Sequence, residues 1–205
     1  MIFIIHHANA GHWKPLFYDR TFDSRRTDFI KQKPLVMQQK ISNLQDLFIE
    51  QGRELYDVSK IEQRELPHIQ KQATSPQLKK VLDRQLSTSK TQSGRLQQAF
   101  KTLNVSSDGE QALSYDTLIK HTKDLINRSE DGQVRDAVIV NSVQKLNHNK
   151  ISSLGSLESY AKEIGQAEIA NWLHDSLKEE KAIDQELSTL ALSEISKKAS
   201  AGVTM

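Results

Sequence analysis

Trp172-Leu173-His174-Asp175-Ser176-Leu177-Lys178-Glu179-Glu180-Lys181-Ala182-Ile183-Asp184 lies within a segment, about Ala167 to Lys197, whose apolar residues Ile169, Leu173, Ile183, Leu187, Leu190 and Ala191 recur at helical spacing. Each residue of an α-helix advances about 100° around its axis. With Leu187 at the centre of the apolar stripe, Glu180 falls about 20° from that centre and Asp184 about 60° from it. A helix that carries acids on its inward side belongs to a bundle with a polar band in its middle.

The other long segments repeat the pattern. Ser42 with Gln45 three residues on reads as a capping-box start, followed by Leu44, Phe48, Leu55, Leu66, Ile69 and Ala73. Gly52 weakens this first helix, and Pro67 is expected to kink it by removing a backbone donor. Ser75-Pro76 opens a second helix, Ser as cap and Pro at the first helical position. Its stripe runs from Leu78, Val81 and Leu82 to Leu96, Ala99, Phe100 and Leu103, before the turn-rich 104–109. A shorter helix spans about Ala112 to Arg128 and carries Leu118, Ile119, Leu125 and Ile126. The fourth runs from about Val134 to Ile164, and Gly165 is placed to end it. Four helices of roughly 30 residues, each about 45 Å long, and one shorter helix specify an all-α bundle.

Residues 1–40 read differently and are expected to be a poorly ordered leader or a start-site artefact, with Met37 a sensible natural start. The first 36 residues hold Phe3, Trp13, Phe17, Tyr18, Phe22 and Phe29, half of the chain's 12 aromatics, with no sustained helical period. His6, His7 and His12 are suited to a soft divalent metal, but scattered histidines in such a segment read as incidental. The bundle proper is expected over 41–198, with 199–205 a frayed tail.

At 205 residues the chain is long enough for one domain with a real core. It has no Cys, which excludes disulfides, thiolate metal sites and a cysteine nucleophile. No apolar run approaches the roughly 20 residues that span a bilayer, and Met1 to Ile5 is too short for a signal-peptide core. The expectation is a cytoplasmic protein without membrane contact. The net charge of +2 conceals six basic residues against three acids before residue 37, which leaves the remainder at −1. A nearly neutral body argues against nucleic acid as a partner.

The polar band extends across the bundle. With Val143 at the centre of the fourth helix, Asn147 lies about 40° away and Lys150 about 20° on the other side, whereas His148 falls about 140° away and should face outward. Ser59 lies within about 20° of Phe48 and Glu62 within about 40°. Gln85, Ser89 and Gln92 line the middle of the second helix. One reading is a carboxylate-bridged metal site. The other is a hydrogen-bonded layer that fixes helix register, in which Lys150 neutralises Glu180, Asp184 or Glu62, since buried charges persist only when paired. The lysine favours the second, because an ammonium repels a cation and cannot ligate one.

A further pattern runs through Leu47-Phe48 with Leu55-Tyr56, Leu66-Pro67, Thr91-Gln92, Arg95-Leu96 and Val134-Arg135-Asp136-Ala137. It continues through Gln144-Lys145, His148, Gly155, Leu157, Ala161 and Gly165 to Leu177-Lys178-Glu179-Glu180 and Asp184. In the order and spacing of these residues, over roughly Ile41 to Ser196, the chain resembles the YciE/YciF family of bacterial stress-induced, ferritin-like proteins. The resemblance implies a ferritin-like four-helix bundle and a dimetal site of carboxylates on the bundle helices. At the implied first-helix Glu, three residues after a Tyr, this chain has Ser59. Where the second helix of the family has His, then Glu three residues later, then Thr, it has Gln85, Thr88 and Ser89. The implied Glu-His-Tyr-Glu of the fourth helix reads Asn147, His148, Asn149, Lys150, and only Glu179, Glu180 and Asp184 of the last helix are retained beside His148.

Two expectations follow. The first is a non-catalytic, metal-free ferritin-like protein, a homodimer as the resemblance implies, with a stress-associated structural or binding role and no cofactor. The second is an iron or manganese carboxylate oxidase or ferroxidase with a relocated, partial site from Glu62, Glu180 and Asp184. No Ser/His/Asp arrangement, phosphate-binding glycine loop or metalloprotease helix motif is present.

Overall fold

A computed structural model describes residues 40–109 and 111–195, the side chains of Ser193 and Glu194 excepted. The expectations for residues 1–39 and for the tail 199–205 lie outside the described residues. Five α-helices follow in order: α1 Leu44–Gln72, α2 Pro76–Thr102, α3 Leu113–Arg128, α4 Gln133–Glu163 and α5 Ala167–Leu190. A π-helical turn, Ala191–Ile195, continues from α5, so the regular α-helix ends before the expected Lys197. No strand occurs among the described residues.

The caps explain the register of the first two helices. α1 starts one residue later than Ser42 suggested: Asn43 is the cap, and its side chain accepts from the Asp46 amide at 2.8 Å. Asp46 in turn accepts from the Ser42 amide at 3.0 Å, so an Asn–Asp pair does the work expected of Ser42 and Gln45. α1 runs through Pro67 to Gln72 without a break. Gly52, unfavourable by helix propensity, lies where a Cβ would meet the Phe100 ring at 3.4 Å, and this small residue lets the ring of α2 approach α1. Ser75 caps α2 as its sequence suggests, accepting from the Leu78 amide at 3.3 Å, with Pro76 in the first turn. α4 ends where Gly165 takes a positive φ of 77°. The Gln166 amide reaches back to the Ala161 carbonyl at 2.8 Å and the Gly165 amide to Lys162 at 3.1 Å, a Schellman closure.

α1 packs against α2 and α4, and α5 packs against α2 and α4, so the four long helices form a ring in the order α1, α2, α5, α4. The short α3 lies outside that ring against α4 and α1. Its buried residues are Tyr115, Ile119, Thr122 and Ile126. Leu66, Leu78, Leu82, Val143, Leu157 and Leu187 are among the fully buried residues of the apolar core. Each such side chain withdrawn from water stabilises the fold by about 1.5–3 kcal/mol. Asp136, completely buried at the start of α4, accepts from the Thr74 amide (2.7 Å), the Thr74 hydroxyl (2.6 Å) and the Ser75 amide (2.8 Å). One carboxylate thereby ties the α1–α2 turn to α4. The architecture is the all-α, ferritin-like bundle of four long helices with one shorter helix, and it brings the polar faces of α1, α2, α4 and α5 together near mid-length.

Candidate functional site: a lysine-centred polar cluster

The cluster is built around Lys150 of α4, whose side chain is buried along its whole length. Its Nζ donates to Glu62 Oε2 of α1 at 2.7 Å and to Glu180 Oε1 of α5 at 2.6 Å. Both glutamates are fully buried as well. Glu62 Oε1 accepts from the Tyr115 hydroxyl at 2.8 Å and from Gln85 Nε2 at 3.2 Å. Asn147 Nδ2 donates to Glu180 Oε2 at 2.5 Å and to the Glu180 backbone carbonyl at 3.3 Å. Five helices therefore meet at one charged group.

The electrostatics follow from burial and the short contacts. Burial alone would drive the proton from Lys150, but the carboxylates of Glu180 and Glu62 outweigh it and hold the pKa above the ordinary lysine value. Burial pushes the Glu180 carboxyl up; Lys150 opposes that shift, the charge of Glu62 adds to it, and the result is a raised pKa. Burial and then the adjacent Glu62 raise the Tyr115 phenol well above its usual range, so it stays a neutral donor. Two carboxylates and one ammonium leave the cluster at −1 when all three are ionised. Two polar atoms inside it have no hydrogen-bond partner: Gln85 Oε1 and Asn147 Oδ1.

The remaining sequence candidates surround this centre in different ways. Ser59 is buried, and its hydroxyl donates to the Leu55 carbonyl at 3.2 Å along its own helix. Ser89 reaches the Ser59 carbonyl at 3.4 Å and closes the α1–α2 seam. Thr88 is half-buried one turn from Gln85. Glu179 does not enter the cluster: Arg95 holds it through two parallel bonds of 2.7 and 2.8 Å, and Gln92 adds a contact at 3.3 Å. His148 faces outward, as its angle requires, with its side chain 64% exposed.

Asp184 departs from expectation. It is neither a partner of Lys150 nor a third donor beside Glu62 and Glu180; its Oδ1 lies 3.0 Å from His148 Nε2, with 23% of the side chain exposed. At about 60° from the stripe centre it sits at the edge of the buried arc. There His148 on the neighbouring helix comes within ion-pair distance of it, but the buried Oδ1 has no hydrogen-bond partner. The sequence reading also missed Tyr115. Its place four residues before Ile119 and seven before Thr122 is the signal that would have put it on the inner face of α3.

A family described as a domain of unknown function, DUF892, matches residues 43–200. The chain belongs to this family. Protein YciF of Escherichia coli (strain K12) is 28% identical over 160 residues, which is 78% of this chain and 96% of that protein. The crystal structure of the E. coli stress protein YciF superposes with a TM-score of 0.73 and 26% identity, covering 77% of this chain and 99% of the other. YcfI from Rhodopseudomonas palustris gives a TM-score of 0.72 and 32% identity, covering 76% and 99%. The YciF resemblance read from the sequence is thereby shown.

A dimetal centre does not fit the donors this DUF892 chain supplies. Such a centre takes several oxygen ligands to hold two cations and offset their charge. Here two carboxylates converge, and both are committed to an ammonium at 2.6 and 2.7 Å. No group of three or more His, Cys, Asp or Glu that could hold a metal occurs among the described residues. An ammonium carries no lone pair, so Lys150 as it stands is a donor and never a ligand.

Proposed function

We propose that the chain is a non-catalytic, metal-free ferritin-like protein with a structural or binding role in stress. The observation that supports this reading is the ammonium of Lys150 bridging Glu62 and Glu180 in the middle of the bundle. A buried ion triad of this kind specifies which helix faces meet, because any slip of register would strand a charge in a low-dielectric interior. Two relatives agree in kind: YciF of E. coli is a stress protein, and YcfI of R. palustris is described as a structural one. A homodimer is part of the proposal and rests on the family resemblance. Light scattering on the purified chain should give twice the monomer mass, and a monomer at micromolar concentration would remove that part.

Metal analysis of purified protein, after loading with iron or manganese and exhaustive dialysis, tests the main reading. It predicts far less than one metal per chain. Two tightly bound metals per chain would overturn it in favour of an iron or manganese oxidase. Among the described residues no helix is long and apolar enough to cross a membrane.

A further inference from the structure

Asp-Gly occurs twice in the chain, at Asp108-Gly109 between α2 and α3 and at Asp131-Gly132 between α3 and α4. The dipeptide has a chemistry of its own. Glycine has no Cβ to shield its amide or to restrict the rotation that brings this nitrogen onto the preceding side-chain carboxyl. The structure gives the two sites opposite surroundings. At the first, Asp108 and Gly109 are both exposed. The Asp108 amide donates to Ser106 Oγ at 3.1 Å, but neither the Asp108 carboxyl nor the Gly109 amide has a partner among the described residues. At the second, Arg135 pairs with the Asp131 carboxylate. Gly132 there is the N-cap of α4, its carbonyl accepting from the Asp136 amide at 3.0 Å, and Asp136 is itself tied to the α1–α2 turn. A carboxyl loses its hydroxyl in ring closure only when neutral, so a cation that holds it ionised protects it.

We propose that Asp108-Gly109 is a self-modification site at which Asp108 converts to isoaspartate, whereas the fold protects Asp131-Gly132. The Gly109 amide nitrogen bonds to Cγ of Asp108; the amide proton and the carboxyl hydroxyl leave as one water, and a five-membered succinimide closes. Water then opens the ring at one of its two carbonyls. Cleavage of the new bond restores aspartate. Cleavage of the original peptide bond leaves the chain running through Cγ, which is isoaspartate. One water leaves and one enters, so mass and oxidation state are unchanged and no other reactant is needed. The position gives the product a structural consequence. Ser106 O accepts from Arg53 Nε at 3.0 Å, and the Ala112 amide donates to Asp57 Oδ2 at 3.0 Å. Both anchors stand on α1, one turn or about 6 Å apart, so the loop spans two fixed points. Isoaspartate lengthens that span by one methylene. Arg53 can follow on its long stem, whereas the short Asp57 cannot, and the anchor at the start of α3 is the one that loosens.

The test stores the full chain and its Asp108→Glu variant in warm neutral buffer, each folded and in concentrated urea. Isoaspartate is counted by methyl transfer from S-adenosylmethionine with an isoaspartyl methyltransferase. It is located by peptide mapping with electron-transfer fragmentation, which separates the two forms of equal mass. The expected result in the folded chain is steady accumulation at Asp108, several-fold above Asp131. In urea the two sites should accumulate it at similar rates, because the Arg135 pair and the helix cap no longer act. Asp108→Glu, whose ring would need six members, should lose the signal at 108. The aged natural chain should also exchange the amides of 112–116 faster than the variant aged beside it. No isoaspartate at 108 in the folded chain, or equal amounts at both sites, overturns the inference. So does an excess at 108 that persists in urea, because local sequence and not the fold would then select the site. Unchanged exchange at 112–116 in chains that carry isoaspartate overturns the loosening of α3.

Discussion

Lys150 is held between opposing tendencies. Burial favours loss of its proton, while carboxylates at 2.6 and 2.7 Å favour keeping it, and the carboxylates prevail. Removing one member of a buried ion group leaves the others uncompensated, which costs about 3–5 kcal/mol. Lys150→Ala should lower the urea unfolding midpoint accordingly, and an unchanged midpoint would show that the ammonium contributes no net pairing. The pH dependence has a definite sign. A lysine whose folded pKa is raised contributes stability that is complete below its unfolded value, about 10.4, and lost as pH climbs through the folded value. The natural chain should therefore weaken above about pH 10.4, and Lys150→Ala should lack that alkaline component. Glu180 acts with the same sign in a lower pH window. Its raised folded pKa means that stability falls as pH rises from the unfolded carboxyl value, about 4.3, through the folded one. Without the lysine this dependence should steepen, which urea titrations between pH 4 and 7 would measure. Helical angle was enough to place Ser59, Glu62, Asn147, Lys150 and Glu180 on inner faces, because the period accumulates little error over two or three turns. It was not enough for Asp184, which lies at the edge of the buried arc and away from Lys150.

At the scale of the element, α3 is the cover of the cluster. It offers few buried residues and relies on polar anchors: the Tyr115 hydroxyl on Glu62, the Asp57 carboxylate accepting from the Ala112 amide at 3.0 Å, and the Lys123–Glu65 ion pair. Two cavities of about 200 and 220 Å³ flank its contact with α1, one lined by His68 and Lys123, the other by Asp57 and Arg64. A thinly buried helix opens at lower free energy than the bundle it covers. Hydrogen exchange by mass spectrometry should show α3 amides exchanging faster than those of central α1 and α4, and Tyr115→Phe should widen the difference. Loss of that hydrogen bond to a charged acceptor costs about 1.5–3 kcal/mol; equal protection in all three helices would refute the cover description. The α1–α2 turn is a second element held by one side chain. Asp136→Ala removes three hydrogen bonds and should destabilise by about 2–4 kcal/mol, read as a lower thermal midpoint. Helix existence and order were readable from spacing and caps, whereas the reach of Tyr115 into the cluster and the tie from Asp136 were not. Both depend on how α3 and α4 lie against other helices, which no local pattern records.

On the scale of the whole molecule, a bundle keeps its fold while its centre changes character. The ring α1, α2, α5, α4 is built on apolar stripes, and the buried ion group between them fixes which faces meet. The residues at the centre then decide between a metal-binding bundle and an ion-paired one. Lysine at position 150 and asparagine at 147 favour pairing, with Glu62 supplied by α1 and Glu180 by α5. The sequence could place these residues inside the ring, but only their convergence on one nitrogen makes them a single unit. The most direct measurement is anomalous diffraction at the manganese edge from crystals of the natural chain grown in excess Mn²⁺. The account predicts no anomalous peak between Glu62 and Glu180, with Lys150 Nζ within about 3 Å of both carboxylates, as ion-pair geometry requires. A strong peak at that point, with the lysine side chain turned away, would contradict it.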